Sequence, residues 1–300
     1  MSENTITREF LLERPLPLPQ GEVDKDARGR VGVIGGHREI PGAVLLAAEA
    51  ALRAGAGKVQ IATTQTTAAA LGIAVPEARV IGLHETGSGD IHPSNAESIR
   101  LSVQGDQVVL IGPGMLDDDA AGALAAALLE TLEGSNFVLD AAALTGLRKN
   151  KDDMKRHAGR MIITPHAGEM ATFLDEDRHA IIEDSAAAAQ HAAALTGSVV
   201  VMKGSRTHIA SPQGELWTCN HGNVGLATSG SGDTLAGIIA GLLARGTAPL
   251  LAAQWGVFIH GEAGERLMRE FGLLGYLARE IPGQVPAIMM DMQREPAADL

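Results

Sequence analysis

Six short runs of β-branched and aliphatic residues punctuate the chain: RVGVIG (30–35), KVQIAT (58–63), QVVLIG (107–112), NFVLD (136–140), RMIITP (160–165) and SVVVMKG (198–204). They read as buried strands. Between them lie alanine-rich stretches of helical character at 41–54, 117–132 and 184–196. Strand, loop and helix in repetition predict an α/β fold with a mostly parallel central sheet and helices on both faces. The apolar stretch TLAGIIAGLLARGTAPLLAAQWGVFIHG is broken by Arg245, glycines and a proline, so it reads as buried helices rather than a membrane span. PLPLPQGEVDKDARG (15–29) reads as an extended polar lead-in, and the last twenty residues, with Pro282 and Pro286, as a loosely ordered tail. No linker, composition shift or internal repeat divides what lies between.

Composition narrows the partners. With 45% apolar and 20% charged residues in 300, the chain can bury a large core. Its formal charge of −12, without a basic run, argues against nucleic acid or an anionic membrane as partner, though a local site can still hold a small anion. The single cysteine, Cys219, excludes an intramolecular disulfide and a cysteine-based metal cluster. The opening MSENTITREFLLERP has no apolar core of the signal-peptide kind, so a cytoplasmic protein is expected.

In parallel sheets, ligands collect at the carboxyl ends of the strands. Four of those ends carry suggestive residues: Gly112-Pro113-Gly114, Asp140, Pro165-His166-Ala167-Gly168-Glu169, and Lys203-Gly204-Ser205-Arg206-Thr207. A fifth element, NVGLATSGSGDTLAGIIAGLLARG (223–246), runs from glycine and serine through Asp233 into an apolar helix. Two readings of it stand. Ser231 or Asp233 could cap the helix. Alternatively, Gly230, Ser231 and Gly232 leave backbone N–H groups bare at the positive end of the helix dipole, an anion site beside which Asp233 could take a proton from a hydroxyl. The dinucleotide fingerprint, the P-loop, H-E-x-x-H, the EF-hand loop and the G-x-S-x-G elbow are all missing; GAGKV (55–59) lacks the upstream glycine and the Ser/Thr of a Walker A motif.

Taken in order, GVIGGHREIPGAVLLAAEAALRAGAGKVQIAT, LIGPG, VLDAAAL, ITPHAGEM, VVMKGSRTHIASPQGE and GNVGLATSGSGDTLAGIIAGLLARG resemble the ADP/ATP-dependent NAD(P)H-hydrate dehydratases of the ribokinase-like superfamily. The Gly-Ser-Gly-Asp element points only to the superfamily; the Pro-Gly-Ala, Thr-Pro-His and Lys-Gly-x-x-Thr elements narrow it. The resemblance places one catalytic domain at 27–283, between a lead-in of 1–26 and a tail of 284–300.

The resemblance implies repair of NADHX and NADPHX, the hydrated forms of NADH and NADPH. Their 6-hydroxyl is phosphorylated by ADP or ATP with Mg²⁺, and phosphate then leaves as the ring double bond reforms. It implies Asp233 as base and hydrate ligand, with Ala43, Gly114 and His166 as further hydrate ligands. Lys203, Gly204, Ser205, Arg206, Thr207 and Gly232 would hold the nucleotide. Glu169 would hold the metal through water, unless it only favours the start of its helix. A homotetramer and a separate NAD(P)H-hydrate epimerase acting on the same substrates are also implied. Two departures stand out: Ala167 replaces a proline usual in the family, and Ala142 replaces an acid often found two residues after Asp140. His260 fits a family helix and fits a buried structural histidine equally well. The rival readings are a ribokinase-like kinase for a vitamin-precursor alcohol and a nucleotide-sensing oligomer without turnover.

Overall fold

The computed structural model describes residues 4–18 and 24–293. Ten strands form one sheet: β1 (Asn4–Thr5), β2 (Arg30–Ile34), β3 (Lys58–Thr64), β4 (Arg79–Leu83), β5 (Val108–Ile111), β6 (Asn136–Leu139), β7 (Met161–Ile163), β8 (Val199–Met202), β9 (Thr207–Ala210) and β10 (Leu216–Cys219). Their spatial order is β1-β10-β9-β8-β7-β6-β5-β2-β3-β4. From β4 across to β8 every pairing is parallel; β9 runs antiparallel to both β8 and β10. The expected α/β fold is present, and all six predicted strands are in it.

The strand runs are continuous because both faces are covered. Val31, Val33, Val108, Leu110 and Val201 point into one core, under the helices Gly42–Arg53, Ser231–Ala244 and Pro249–Phe271. Ile34, Val109, Ile111, Val200 and Met202 point into the other, under Asp118–Thr131 and Ser185–Thr196. With a side-chain period of two, a strand covered on both sides needs an apolar residue at every position.

Two expectations fail at the ends. Residues 284–293 are not loose: Ile281–Gln293 is a helix that buries Ile281, Val285, Ile288 and Met292, with Pro286 inside it. The rest of the expected tail, 294–300, lies outside the described residues. Nor is the stretch 15–29 merely extended and polar: Leu16 enters the core and 25–28 form a turn, while 19–23 lie outside the described residues. Ahead of it Ile6 and Leu11 are buried, β1 pairs with β10, and the Trp255 indole donates to the Arg14 carbonyl at 2.9 Å. A short segment can be ordered by docking onto apolar surface that its own sequence does not reveal.

The helices Gly42–Arg53 and Ser231–Ala244 run side by side in the same direction, in contact through small residues. A Cβ on Gly237 would lie 2.2 Å from the Ala47 carbonyl oxygen, and one on Gly241 2.4 Å from that of Ala51. This close approach brings both helix N-termini to the carboxyl end of the sheet. Gly237→Ala is therefore expected to destabilise the protein by about 2 kcal/mol, because overpacking against backbone outweighs the better helix propensity of alanine. Gly72→Ala provides the contrast. Its Cβ would meet nothing nearer than Val80 Cγ2 at 3.8 Å, so a gain of about 0.5–1 kcal/mol is expected. Urea unfolding midpoints of the two variants check both signs.

Candidate active site

The chain runs outward from β2 through β3 to β4, then returns to the other side of β2 as β5. This reversal is a topological switch point, and in open α/β sheets the crevice beyond the strand ends at such a point is where ligands bind. Gly36, after β2, donates to the Pro113 carbonyl after β5 at 2.7 Å. Gly114 has φ +71, and a Cβ there would lie 2.7 Å from Ala43 Cβ and 2.9 Å from the Ile40 carbonyl. Only glycine allows that backbone conformation and that approach together. The structure thus brings Ala43 and Gly114 into contact across the crevice.

Asp233 stands in the first turn of Ser231–Ala244, whose N-cap is Gly230 at φ 89. No side-chain oxygen caps this helix. Of the two residues considered as caps, Ser231 turns its hydroxyl to His260 Nε2 at 2.9 Å instead. The same ring nitrogen lies 3.1 Å from the Ser231 carbonyl, which can only accept, so His260 carries its proton on Nε2. Burial lowers its pKa to about 4, so the ring is a neutral strut that fixes the start of the helix. The structural reading of His260 is the one its contacts support.

Lys203 ties two carboxylates together. Its Nζ lies 2.9 Å from Asp140 Oδ1 and 3.6 Å from Glu169 Oε2, and a Cβ on Gly232 would meet it at 3.3 Å. Asp140 Oδ1 also accepts from the Thr164 hydroxyl at 2.7 Å. Burial opposes the charge on Lys203, but Asp140 and Glu169 outweigh it and hold the ammonium above its ordinary pKa. For Asp233 the balance goes the other way. Burial first, then the neighbouring Asp140, raise its pKa to about 7 against the pull of Lys203. A carboxylate so placed is a base poised near neutrality.

His166 caps the Ala167–Leu174 helix: its Nδ1 accepts from the Gly168 and Glu169 amides at 2.9 and 3.3 Å. Glu169 reciprocates, accepting from the His166 amide at 2.8 Å, and its Oε1 lies 3.1 Å from His166 Nε2. Burial pushes the Glu169 carboxyl up, but His166 and Lys203 outweigh it and hold it below the ordinary value. The helix-start reading of Glu169 is thus realised. With both oxygens engaged, Glu169 suits a cation held through water and not a direct ligand. Among the described residues no group of three or more His, Cys, Asp or Glu could cage a metal. That arrangement still fits Mg²⁺, which keeps several waters and draws its inner ligands from phosphate oxygens. Ala142 is buried and leaves Asp140 without a second acid in its loop.

Beside this cluster opens a cavity of about 640 Å³, lined in part by His166, Lys203, Gly204, Ser205, Thr207 and Gly232. Arg206 is exposed in the same turn and is not part of the lining. Ala43 and Gly114 lie at the switch point and not among the residues that line this cavity, whereas Ser231 and Gly232, just before Asp233, do line it. Sequence reasoning missed the far wall, formed by His221, Asn223, Val224 and Leu226. The His221 ring stacks on Phe258 at 4.7 Å, and Asn223 Oδ1 accepts from Tyr276 at 2.8 Å. The Gly-Asn pair before a glycine-rich helix was the available signal. It also missed the strain at Ala141, a non-glycine residue at φ 48 directly after Asp140.

Comparison with known proteins agrees with this geometry. The sequence profile of the NAD(P)H-hydrate dehydratase family matches residues 31–286. The ADP-dependent (S)-NAD(P)H-hydrate dehydratase of Xanthomonas campestris pv. campestris is 44% identical over 294 residues, covering 97% of each chain. A ribokinase-like superfamily protein from Enterococcus faecalis superposes with TM-score 0.83 at 27% identity, over 97% of this chain and 96% of that one. The ADP/ATP-dependent NAD(P)H-hydrate dehydratase of Bacillus subtilis, co-crystallised with ATP/Mg²⁺, gives 0.78 at 26%, over 98% and 100%. Motif order, fold and a near-complete match in length converge on one conclusion: the chain belongs to the NAD(P)H-hydrate dehydratase family.

Proposed function

We propose that this protein dehydrates the S-epimer of NADHX and NADPHX to NADH and NADPH at the expense of a nucleotide. The observation that carries the reading is Asp233, a carboxylate with a pKa of about 7 in the first turn of a helix without a side-chain cap, in the field of Lys203 and next to Gly232 of the cavity wall. The cavity takes the nucleotide, with Lys203, Gly204, Ser205, Thr207 and Gly232 around its phosphates and Arg206 at the exposed tip of the same turn, outside the lining. The crevice takes the hydrated nicotinamide against Ala43 and Gly114, and His166, which lines the cavity, contacts the hydrate from that side. Asp233 accepts the proton of the 6-hydroxyl while that oxygen forms its bond to the terminal phosphorus, and the bond from that phosphorus to its bridging oxygen breaks, releasing the nucleotide one phosphate shorter. The N–H groups at the start of the helix bear the charge on the transferring group. The C–O bond of the phosphate ester then breaks, the ring loses a proton, and the double bond reforms. Mg²⁺, held by Glu169 through water when bound, supplies charge neutralisation on the phosphates. The ADP dependence in the name of the Xanthomonas relative supports ADP as donor. On the strength of the family resemblance we place the enzyme in the cytoplasm as a homotetramer, supplied by a separate epimerase. Among the described residues no helix is long and apolar enough to cross a membrane.

The test mixes purified protein with hydrated NADH, Mg²⁺ and either ADP or ATP, and follows the near-ultraviolet absorbance of reduced nicotinamide. Recovery that requires nucleotide is the expected result and names the donor. No recovery with either nucleotide, under conditions where nucleotide binds, would overturn the reading in favour of a small-molecule kinase with a stable phosphorylated product.

A further inference from the structure

The walls of the switch-point crevice are held by a third segment, residues 84–92, which reaches over from the end of β4. Two buried side chains make the link: His37 is 4% exposed and Asp90 3%. Asp90 Oδ1 accepts from the amides of Leu116 and Asp117 at 2.9 and 3.3 Å, two and three residues beyond Gly114. On the other wall, the His37 ring works both ways. Its Nδ1 accepts from the Glu39 amide at 3.0 Å, so its proton sits on Nε2 and is donated to the Ser88 carbonyl at 2.9 Å. Asp90 Oδ2 lies 3.7 Å from that same nitrogen. The Arg38 amide and guanidinium donate to the Gly89 and Ser88 carbonyls at 2.9 and 3.0 Å. Gly89 has φ +107, and a Cβ there would lie 3.1 Å from His37 Nε2, so the segment approaches this closely only with glycine.

The wall carrying Ile40 and Ala43 is therefore bonded to Ser88, Gly89 and Asp90, and the wall carrying Gly114 to the same Asp90. We infer that Asp90 and His37 are positioning residues that set the separation of Ala43 and Gly114, and with it the fit of the hydrated ring. Neither touches the crevice; they act through the two loops. The nucleotide side is built from 203–207 and 221–232 and shares none of these bonds. The inference rests on the reading of the crevice as the hydrate site, and its consequence is selective: the hydrate should feel the loss of the staple and the nucleotide should not.

The experiment compares Asp90→Ala, Asp90→Asn and His37→Phe with the unaltered protein. It measures KM for hydrated NADH, kcat, nucleotide Kd, and amide hydrogen exchange over 36–43, 112–117 and 203–207. Asp90→Ala strands two buried donors, and KM is expected to rise about tenfold with nucleotide Kd unchanged. Asp90→Asn keeps an acceptor oxygen and restores most of the loss. His37→Phe keeps the ring volume and raises KM several-fold, so it carries the test if Asp90→Ala fails to fold. Exchange should quicken in both crevice loops and stay slow in 203–207. Unchanged KM and exchange in Asp90→Ala and His37→Phe would overturn the inference, as would an equal weakening of hydrate and nucleotide. Failure of the unaltered protein to restore NADH would instead bring down the functional reading, while the exchange pattern still decides whether the staple exists.

Discussion

Asp233→Asn is expected to cut turnover by about a thousandfold while nucleotide Kd stays within a few-fold. Asparagine has nearly the shape of aspartate but cannot accept the hydroxyl proton, and general-base catalysis contributes roughly 10²–10⁴ to rate. The backbone groups at Gly230–Gly232 and the contacts of Lys203 survive the change. The pH profile sharpens the test. Asp233 acts when ionised, and its pKa is raised to about 7. Below that value kcat/KM of the unaltered enzyme should fall about tenfold per pH unit, and the residual activity of Asp233→Asn should lack that limb. Stability should move the opposite way. A carboxyl whose folded-state pKa is raised holds its proton more tightly folded than unfolded, so stability falls as pH climbs from about 4 to about 7. Asparagine escapes that loss, so Asp233→Asn should melt higher than the unaltered protein above pH 7. Full turnover in the variant would refute Asp233 as the base.

Lys203→Met should do damage of a different kind. Asp140 is only 3% exposed, and its partners among the described residues are Lys203 and Thr164. Removing the ammonium leaves one buried carboxylate without its counter-charge and a second, Glu169, without its neighbour. Breaking a buried pair from one side costs about 3–5 kcal/mol, far more than the pair contributes over an apolar replacement. A loss of that order in urea unfolding is expected. Lys203 also holds the Asp233 pKa down, so any surviving activity should show its acid limb at higher pH. Lys203→Met with Asp140→Asn should regain much of the stability but not the nucleotide affinity, since the donor toward phosphate is still missing. Unchanged stability in Lys203→Met would mean that the Lys203–Asp140 contact carries no energetic weight.

Much of this was legible along the chain, and the exceptions share a cause. Parallel strands buried on both faces announce themselves by continuous apolar runs, and helices between them by alanine and by spacing. The structure starts the helices at Gly42, Asp118 and Ser185, each one residue inside the stretch read from the pattern. β4, RVIGL at the sheet edge, went unread because its residues are only partly covered and its apolar signal is correspondingly weak. β9 and β10 depend on which strand they pair with, which no local pattern states. Lys203 was read as a phosphate donor in a turn. Its partner lies 63 residues away and becomes a neighbour only because β6 and β8 flank β7 in the same direction.

The class of fold, the family and the inventory of reactive groups follow from residue type, order and periodicity along the chain. Only the tertiary structure decided what each group is. Asp233 has its pKa raised to about 7 because burial and Asp140 outweigh Lys203. Glu169 becomes half of a capping box, and His260 becomes a neutral strut because its pocket is dry. His37, inside the first family-like segment, and Asp90, outside all of them, had no role to read from the sequence, yet they meet between the crevice walls. Protonation and hydrogen bonding are set by distance and desolvation, and both arise only when segments far apart in the chain are packed together.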